Sequence, residues 1–302
     1  MRHSFTQLER EVKMLKTALL VFFCVSVIGV VAPCFGSLVV ADDFNRSDSS
    51  YLGTTPTGGY TWNEQETVAT GLRISGNQAF AGSTTSGREY ATIDLSSSSS
   101  YSTTLNHNGG TVTWTVNMRG SRLDPSGFDT GNYGLAFVLA STSSSSSSGQ
   151  GYAVVLGQSG STDPIRLARF SGGLNLNSSF QNIISGGDFG SEFLNIRVTY
   201  DPTSDQWSLF ATSGASFSDP TAVTTQVGST TSDSTYTGTA LNFSGFLWNH
   251  STASGEGGTF DNFAIEAVPE PQEWGIVSTV GLLGICAFRS WRTARPSRPL
   301  RS

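Results

Sequence analysis

The segment Thr111–Met118, with the sequence TVTWTVNM, decides the fold class of this chain. Its apolar residues Val112, Trp114, Val116 and Met118 occupy every second position, and threonines occupy most of the others. Successive side chains of a β-strand point to opposite faces, so this period of two predicts a strand with one buried face and one polar face.

The same pattern recurs between residues 37 and 267, where clusters of Gly, Ser, Asn and Asp separate the apolar segments. Many antiparallel strands joined by turns predict an all-β domain, built as a two-sheet β-sandwich with a jelly-roll wrap. No amphipathic helix is expected there, and the serine runs at 96–100 and 143–148 are interpreted as solvated loops. We expect strands at 38–44, 72–75, 90–95, 111–118, 133–140, 152–157, 165–170, 193–200, 206–211, 241–250 and 259–267.

The composition of residues 37–267 restricts the partners of this domain. The segment contains eight Arg, no Lys and 19 Asp or Glu, which leaves a net charge near −11. A surface this acidic argues against nucleic acid as a partner. Cys24, Cys34 and Cys286 are the three cysteines of the chain, and none lies in the domain. The domain therefore has no disulfide or cysteine metal site, and its core must hold it together.

The N-terminal segment has the layout of a secretory signal peptide. Lys13 and Lys16 precede the apolar run 18–32, and Cys34-Phe35-Gly36 places small residues at the two positions that determine cleavage before Ser37. We expect the general secretion machinery to export the chain and signal peptidase to remove residues 1–36. The start codon is left open, because both Met1 and Met14 precede the run.

The C-terminal segment combines an uncharged run at 274–288 with the arginines Arg289, Arg292 and Arg295. As a helix this run reaches ~23 Å, against ~30 Å of hydrocarbon, and flanking arginines can extend the span to the interface. The positive-inside rule leaves these arginines in the cytoplasm and the domain outside. We expect a short transmembrane helix that holds the precursor in the inner membrane. The alternative is a marginal helix packed on the domain.

The residues before this run carry a resemblance to a known signal. Val268, Pro269, Glu270 and Pro271, followed by an apolar segment and an arginine cluster, resemble the PEP-CTERM sorting signal of Gram-negative bacteria. The resemblance covers residues 268–302 and implies handling by an exosortase, a membrane cysteine transpeptidase. That enzyme would cut near the two prolines and release or attach the domain at the cell surface, often within an exopolysaccharide matrix. The prolines keep the motif extended and free of helix.

A second resemblance concerns the domain itself. ADDFNRSDSSYLG at 41–53, YGLAFVLA at 133–140 and FDNFAIEA at 260–267 are similar to a concanavalin A-like lectin/glucanase jelly roll. The resemblance implies a structural Ca²⁺ where the first and last strands meet, with Asp261 as a ligand and further oxygens near Asp42 or Asp43.

The alternation of residues bears on the same carboxylate. Asp261 is in phase with Phe263 and Ile265, so we expect it to point inward. A buried carboxylate must be paired or must bind a cation, and oxygen donors suit Ca²⁺. The alternative to calcium is a salt bridge from Asp261 to Arg46.

The sequence predicts no catalytic residue. Laminarinase-type members of the similar fold carry a Glu-x-Asp-x-x-Glu strand, and the nearest segment here is WNEQETV at 62–68. Glu64 and Glu66 could share a face there, but the central Asp and the third acid are missing, and the alternative is two exposed loop carboxylates. His107 and His250 lie far apart, and neither a nucleophile elbow nor a histidine metal cluster is present.

The segment LNFSGFLWNH at 241–250 is a candidate sugar-binding strand. One face carries Phe246, Trp248 and His250 beside shorter polar residues, a mixture that sugar sites use for ring stacking and hydrogen bonding. The alternative is that both rings belong to the core. Trp62 has the same two interpretations, whereas Trp114 and Trp207 are interpreted as core.

These observations predict an exported, non-enzymatic protein of the cell surface or extracellular matrix of a Gram-negative bacterium. We expect it to be adhesive or associated with exopolysaccharide. A carbohydrate-binding module with a defined sugar site is the first alternative, and a divergent glycoside hydrolase or lyase is the second.

Overall fold

Fifteen β-strands build the described part of the chain. The computed structural model describes residues 36–106, 109–236, 238–252 and 257–268. A helix, α1 (Ser99–Asn106), and two short 3₁₀ turns, Asn177–Ser179 and Pro220–Ala222, interrupt the strands. The strands are β1 (Ser37–Asp42), β2 (Asn63–Gln65), β3 (Leu72–Ile74), β4 (Ala79–Ala81), β5 (Gly87–Asp94), β6 (Thr111–Gly120), β7 (Gly134–Ser141), β8 (Gln150–Leu156), β9 (Pro164–Ser171), β10 (Phe180–Asp188), β11 (Phe193–Asp201), β12 (Gln206–Gly214), β13 (Gln226–Ser232), β14 (Phe243–His250) and β15 (Gly258–Val268).

The strands form two antiparallel sheets, which confirms the prediction of an all-β, two-sheet domain. The eight-stranded sheet has the order β13-β12-β11-β6-β15-β4-β3, and β1 also pairs with β15. The seven-stranded sheet has the order β10-β9-β8-β7-β14-β5-β2. Strand β15 pairs with β6 along one edge, and with β4 and then β1 along the other. The last strand is therefore an interior strand of its sheet.

The alternating segment TVTWTVNM forms the centre of β6. Val112, Trp114, Val116 and Met118 have no exposed surface, and Trp114 stacks on Trp207 with ring centroids 5.9 Å apart. The core interpretation of both tryptophans is thus confirmed. In β6 every second residue thus enters the core between the sheets, as the period of two requires.

A second apolar cluster covers the outer face of the seven-stranded sheet. It contains Tyr90, Phe170 and Leu247 from the strands, and Phe128 and Leu174 from the loops that fold over them, all buried. The serine loop at 143–148 joins this cover, because the backbone N–H of Ser146 donates to Gln65 Oε1 at 2.9 Å and Ser146 is buried. The expectation of a fully solvated loop is therefore wrong for this run.

The other serine run begins a helix that the sequence analysis did not expect. Ser98 Oγ accepts a hydrogen bond from the backbone N–H of Tyr101 at 3.3 Å, which is the capping contact that starts α1. Tyr101 and Leu105, four residues apart, then lie on one face and are buried in the core. Strands β2, β4, β10 and β13 were also not predicted.

Several predicted segments lie outside the described residues. They are residues 1–35 of the signal peptide, Pro269, Glu270 and Pro271 of the sorting motif, the run 274–288, and the anchor residues Arg289, Arg292 and Arg295. Among the residues that the structure does describe, no helix is long and apolar enough to cross a membrane.

Candidate functional site

The carboxylate of Asp42, at the end of β1, is completely buried and already has protein partners on both oxygens. Arg46 donates from Nη1 to Oδ1 at 2.6 Å and from Nη2 to Oδ2 at 3.0 Å. Trp62 Nε1 donates to Oδ2 at 2.8 Å, and the backbone N–H of Phe44 donates to Oδ1 at 2.9 Å. A bidentate guanidinium neutralises a buried carboxylate, so Asp42 needs no cation. Arg46 is thus the partner of Asp42, and the alternative of a salt bridge from Arg46 to Asp261 is wrong.

Asp261 does not point inward in phase with Phe263, because a β-bulge separates them. The register of β15 against β6 shifts between Asp261 and Ala264, and Asn262 adopts a left-handed conformation with φ 47°. Phe260 and Phe263 both enter the core, which leaves Asp261 half-buried. Two residues occupy one position of the partner strand at a bulge, so the alternation changes phase there.

The charged groups around Asp261 do not form a metal site in the described residues. Burial raises the pKa of Asp261 to about 6, hydrogen bonds from Asn262 and Gln78 oppose the shift, and the charges of Asp43 and Asp42 add to it. Asp43 is exposed and accepts from the backbone N–H of Asn45 at 3.1 Å. Within the described ranges, no three His, Cys, Asp or Glu side chains form a group that could hold a metal ion. The geometry of Asp42, Asp43 and Asp261 thus gives the expected Ca²⁺ no support.

Phe246, Trp248 and His250 share one face of β14, and that face is the core. Phe246 stacks on Phe260 at 4.2 Å between ring centroids and contacts Trp62 at 5.2 Å. Phe246 and Trp248 have no exposed surface, His250 is 1% exposed and Trp62 is 4% exposed. A sugar ring cannot reach any of them, so the sugar-binding interpretation of this strand is wrong and the core interpretation holds.

His250 belongs to a buried pair that the sequence analysis missed. Its Nε2 lies 3.1 Å from Glu89 Oε1 on β5, and Glu89 Oε2 accepts from the backbone N–H of Thr67 at 3.0 Å. The carbonyl of Ser251, 3.0 Å from His250 Nδ1, can only accept, so Nδ1 carries a proton. The hydrogen bond to Glu89 then needs a second proton on Nε2 or on the carboxyl. Alternation of Glu89 with the buried Ala91 and Ile93 would have indicated its inward direction.

Gly71 packs directly against this pair. A Cβ atom at Gly71 would lie 2.4 Å from Glu89 Oε2, so only glycine allows the backbone to pack directly on the carboxylate. Glu89 is completely buried. The pair therefore fastens the ends of β5 and β14 to the segment before β3, and substrate has no access to it.

Glu64 and Glu66 both serve as acceptors for backbone N–H groups. Glu64 Oε1 accepts from Leu52 at 2.8 Å, and Glu66 Oε1 accepts from Leu72 at 2.7 Å. Burial raises the pKa of Glu64, the hydrogen bond from Leu52 opposes this, and the charge of Glu66 adds to it. Glu64 lies in β2 and both residues are half-buried, so the expectation of exposed loop carboxylates is wrong. Each carboxylate holds a different chain segment, which is a structural role.

A cavity of about 260 Å³ opens beside β3 and β4, at the edge of the eight-stranded sheet. The guanidinium of Arg73 lies 4.1 Å from the ring centroid of Phe80, and its Nη1 donates to the carbonyl of Thr70 at 3.1 Å. We call this space the Arg73 cavity. Its lining combines one cation with hydroxyl groups and apolar surface. The lining residues are Val68, Thr70, Gly71, Arg73, Phe80, Gly82, Ser83 and Thr84.

Comparisons with known proteins add little to this geometry. No protein-family model and no curated protein matches the chain. The carbohydrate recognition domain of Emp47p is 13% identical, with a TM-score of 0.48 over 80% of this chain and 100% of that one. A GH131 β-glucanase catalytic domain from Podospora anserina is 14% identical, with a TM-score of 0.45 over 78% and 99%. The carbohydrate-binding module CBM66 from Bacillus subtilis is 12% identical, with a TM-score of 0.34 over 68% and 95%. Scores this low carry no argument about what the present chain binds.

Proposed function

We propose that this chain is an exported, non-enzymatic β-sandwich of jelly-roll type, sorted to the cell surface or extracellular matrix of a Gram-negative bacterium. The observation that carries the proposal is the position of the Pro-Glu-Pro motif. Strand β15 ends at Val268, and Pro269 follows directly. Because β15 pairs with β6, β4 and β1, a cut within the strand would disrupt the eight-stranded sheet, whereas a cut after Val268 leaves every pairing intact.

The N-terminal end of the domain also lies directly beside an expected cleavage site. Strand β1 begins at Ser37, immediately after the expected signal peptidase site. Secretion machinery would export the chain, and the segment 274–288 with its arginines would hold the precursor in the inner membrane. An exosortase would then cut near Glu270 and deliver a complete sandwich to the surface.

A binding or structural role after delivery fits the way in which the carboxylates are used. Glu64 and Glu66 cap backbone N–H groups, and Glu89 is sealed against His250. None of these three lines the Arg73 cavity. A glycosidase needs two carboxylates placed on either side of a bound sugar. We therefore favour an adhesive or exopolysaccharide-associated protein over a glycoside hydrolase or lyase.

The sorting proposal is tested by substituting the motif in a Gram-negative host that has an exosortase. Pro269→Ala/Glu270→Ala/Pro271→Ala should leave the full-length chain in the inner-membrane fraction, because the extended recognition site is lost. Gln272→Ala/Glu273→Ala, which changes the next two residues and keeps the motif, is the matched control and should reach the surface as the wild type does. Equal surface delivery of both variants would overturn the proposal.

A carbohydrate-binding module is the second candidate function, and the Arg73 cavity is the observation that favours it. The cavity combines apolar surface from Val68 and Phe80 with the hydroxyls of Thr70, Ser83 and Thr84, as sites for polyhydroxylated ligands do. A pull-down on a panel of insoluble polysaccharides tests it, with the full chain in a detergent that has no sugar headgroup. Retention on none of the polysaccharides would count against this function and leave the sorting proposal untouched.

A further inference from the structure

The Arg73 cavity contains a cation that has no carboxylate partner. Arg46 and Arg169 form ion pairs with Asp42 and Asp233. Arg73, in contrast, has no carboxylate within ion-pair distance among the described residues. Arg88, Arg119, Arg166 and Arg197 also have no carboxylate within that distance among the described residues, so Arg73 is distinguished by its place in the lining of the cavity. An unpaired guanidinium beside a cavity is available to an anionic ligand.

The guanidinium is also held in place before any ligand arrives. Phe80 supports its plane from one side, and the carbonyl of Thr70 accepts one of its five N–H groups. Phe80 is itself fixed, since a Cβ at Gly257 would lie 2.3 Å from its ring. Most donors of Arg73 remain without a protein acceptor in the described structure. A guanidinium group that is already held in place loses little conformational entropy when it binds a planar anion.

The backbone at the rim of the cavity is strained. Thr70 has φ 73°, in the left-handed region that a β-branched residue rarely adopts. Such a conformation persists only where the surroundings hold it, and it is concentrated at ligand sites. Here the hydrogen bond from Arg73 to the Thr70 carbonyl and the bond from Gly82 N to Gly71 O at 2.8 Å hold the segment. These hydrogen bonds therefore keep Thr70 in its strained conformation in the lining of the cavity.

We propose that the Arg73 cavity binds a single carboxylated sugar, such as a uronate residue of an acidic polysaccharide. The inference rests on the second candidate function and names its ligand class. The carboxylate would accept two N–H groups from Arg73, because guanidinium and carboxylate match in a planar, bidentate geometry. The sugar C–H groups would pack on Val68 and Phe80, and its hydroxyls would bond with Thr70 and Thr84, whose own hydroxyls are unused by the described protein.

Size and charge both restrict the ligand. A volume of about 260 Å³ lies just below the roughly 300–1,000 Å³ of sites for drug-sized molecules, so the cavity accepts one ring rather than a chain. One cation in an acidic domain balances one negative charge, and a dianion such as phosphate would meet net repulsion. A sugar with one carboxylate satisfies both restrictions.

Isothermal titration of the full chain with matched sugar pairs tests the proposal. Each pair consists of a methyl uronoside and the neutral methyl glycoside of the same configuration (gluco, galacto or manno), which differ only at C6. We expect at least one uronoside to bind about 10- to 100-fold more tightly than its neutral partner, as a charged hydrogen bond implies. Arg73→Gln should remove this difference.

Arg197→Gln is the matched control. Arg197 is half-buried on the same sheet and stacks on Phe210 at 4.2 Å, but it does not line the cavity. It should leave uronoside binding unchanged. If Arg73→Gln lowers the melting temperature, Arg73→Lys gives the same comparison, because it keeps the charge and loses the planar fork; full affinity in that variant would contradict bidentate binding.

The remaining outcomes separate the inference from the function on which it rests. Equal affinity for uronoside and neutral glycoside, unaffected by Arg73→Gln, would overturn the uronate assignment and preserve sugar binding. Acetate that binds as tightly as the uronosides would overturn it by reducing the cavity to a simple anion site. Failure of all six sugars to bind, while insoluble polysaccharides retain the chain, would overturn only the inference; failure of both would overturn it together with the second candidate function.

Discussion

Replacing Asp42 with Asn isolates the ion pair that fixes the start of the sandwich. The change keeps the shape of the side chain but removes its charge, and it leaves Arg46 and Trp62 Nε1 without their carboxylate acceptor. Removing one partner of a buried ion pair costs about 3–5 kcal/mol. The Arg46 side chain is 28% exposed, so water partly replaces the lost partner. We therefore expect a loss of about 3 kcal/mol in the free energy of unfolding, near the lower end of that range.

Thermal unfolding measures this effect and tests calcium in the same experiment. A loss of about 3 kcal/mol lowers the melting temperature by roughly 6–12 °C in a domain of this size. Asp43→Asn is the matched control, because Asp43 is exposed and accepts only one backbone N–H; it should change stability by less than about 0.5 kcal/mol. Neither excess Ca²⁺ nor a chelator should move the wild-type curve. A Ca²⁺-dependent gain in the wild type that Asp42→Asn abolishes would refute the ion-pair account.

Three further substitutions test the core, the β-bulge in β15 and the buried pair of Glu89 and His250. Trp248→Ala should cost ~3–5 kcal/mol in chemical denaturation, since the ring is completely buried; a folded, equally stable variant would contradict the core assignment. Burial raises the pKa of Asp261 to about 6, above its unfolded value, so the ionised carboxylate destabilises the folded state. This destabilisation is fully present above pH 6 and disappears as the pH falls from 6 toward 4. Asp261→Asn should remove that penalty, raising stability at pH 7 by about 1 kcal/mol after discounting for solvent screening, and an unchanged pH profile would count against it. Gly71→Ala should cost about 1–3 kcal/mol because its Cβ would press on Glu89, whereas Gly109→Ala, which meets nothing within 4 Å, should be neutral by the same denaturant assay.

Most of the longer strands were predictable because the apolar alternation is visible within the sequence of each strand. In β6 every second residue is apolar, and the two faces of the sheet follow directly from that alternation. Strands β2 and β4 have three residues each, too few for a period to show. Strands β10 and β13 lie at sheet edges and are rich in Gly, Ser and Thr, so their pairing depends on the neighbouring strand rather than on an apolar pattern.

The site could be predicted less well, because its geometry depends on contacts between distant segments. The β-bulge at Asn262 changes the phase of the alternation in β15, and the sequence pattern of Asp261, Phe263 and Ile265 does not predict it. A carboxylate on β1 could be placed near the last strand, but its bidentate partner Arg46 follows only from the fold of the connecting loop.

The Arg73 cavity could likewise be predicted only in part from the sequence. Arg73 was predictable as an outward residue, since it stands between the buried Leu72 and Ile74. Its stacking on Phe80 requires the pairing of β3 with β4, and β4 was not expected. The cavity itself appears only when the two strands and the segments that flank them are assembled.

The C-terminus of the protein at the cell surface tests the central claim most directly. Surface-exposed protein would be recovered from a host with an exosortase, and its C-terminal peptide would be sequenced by mass spectrometry. We predict a chain that ends between Val268 and Pro271, directly behind the last strand, with the complete sandwich preserved. Recovery of a peptide that continues through the arginines to Ser302 would contradict it.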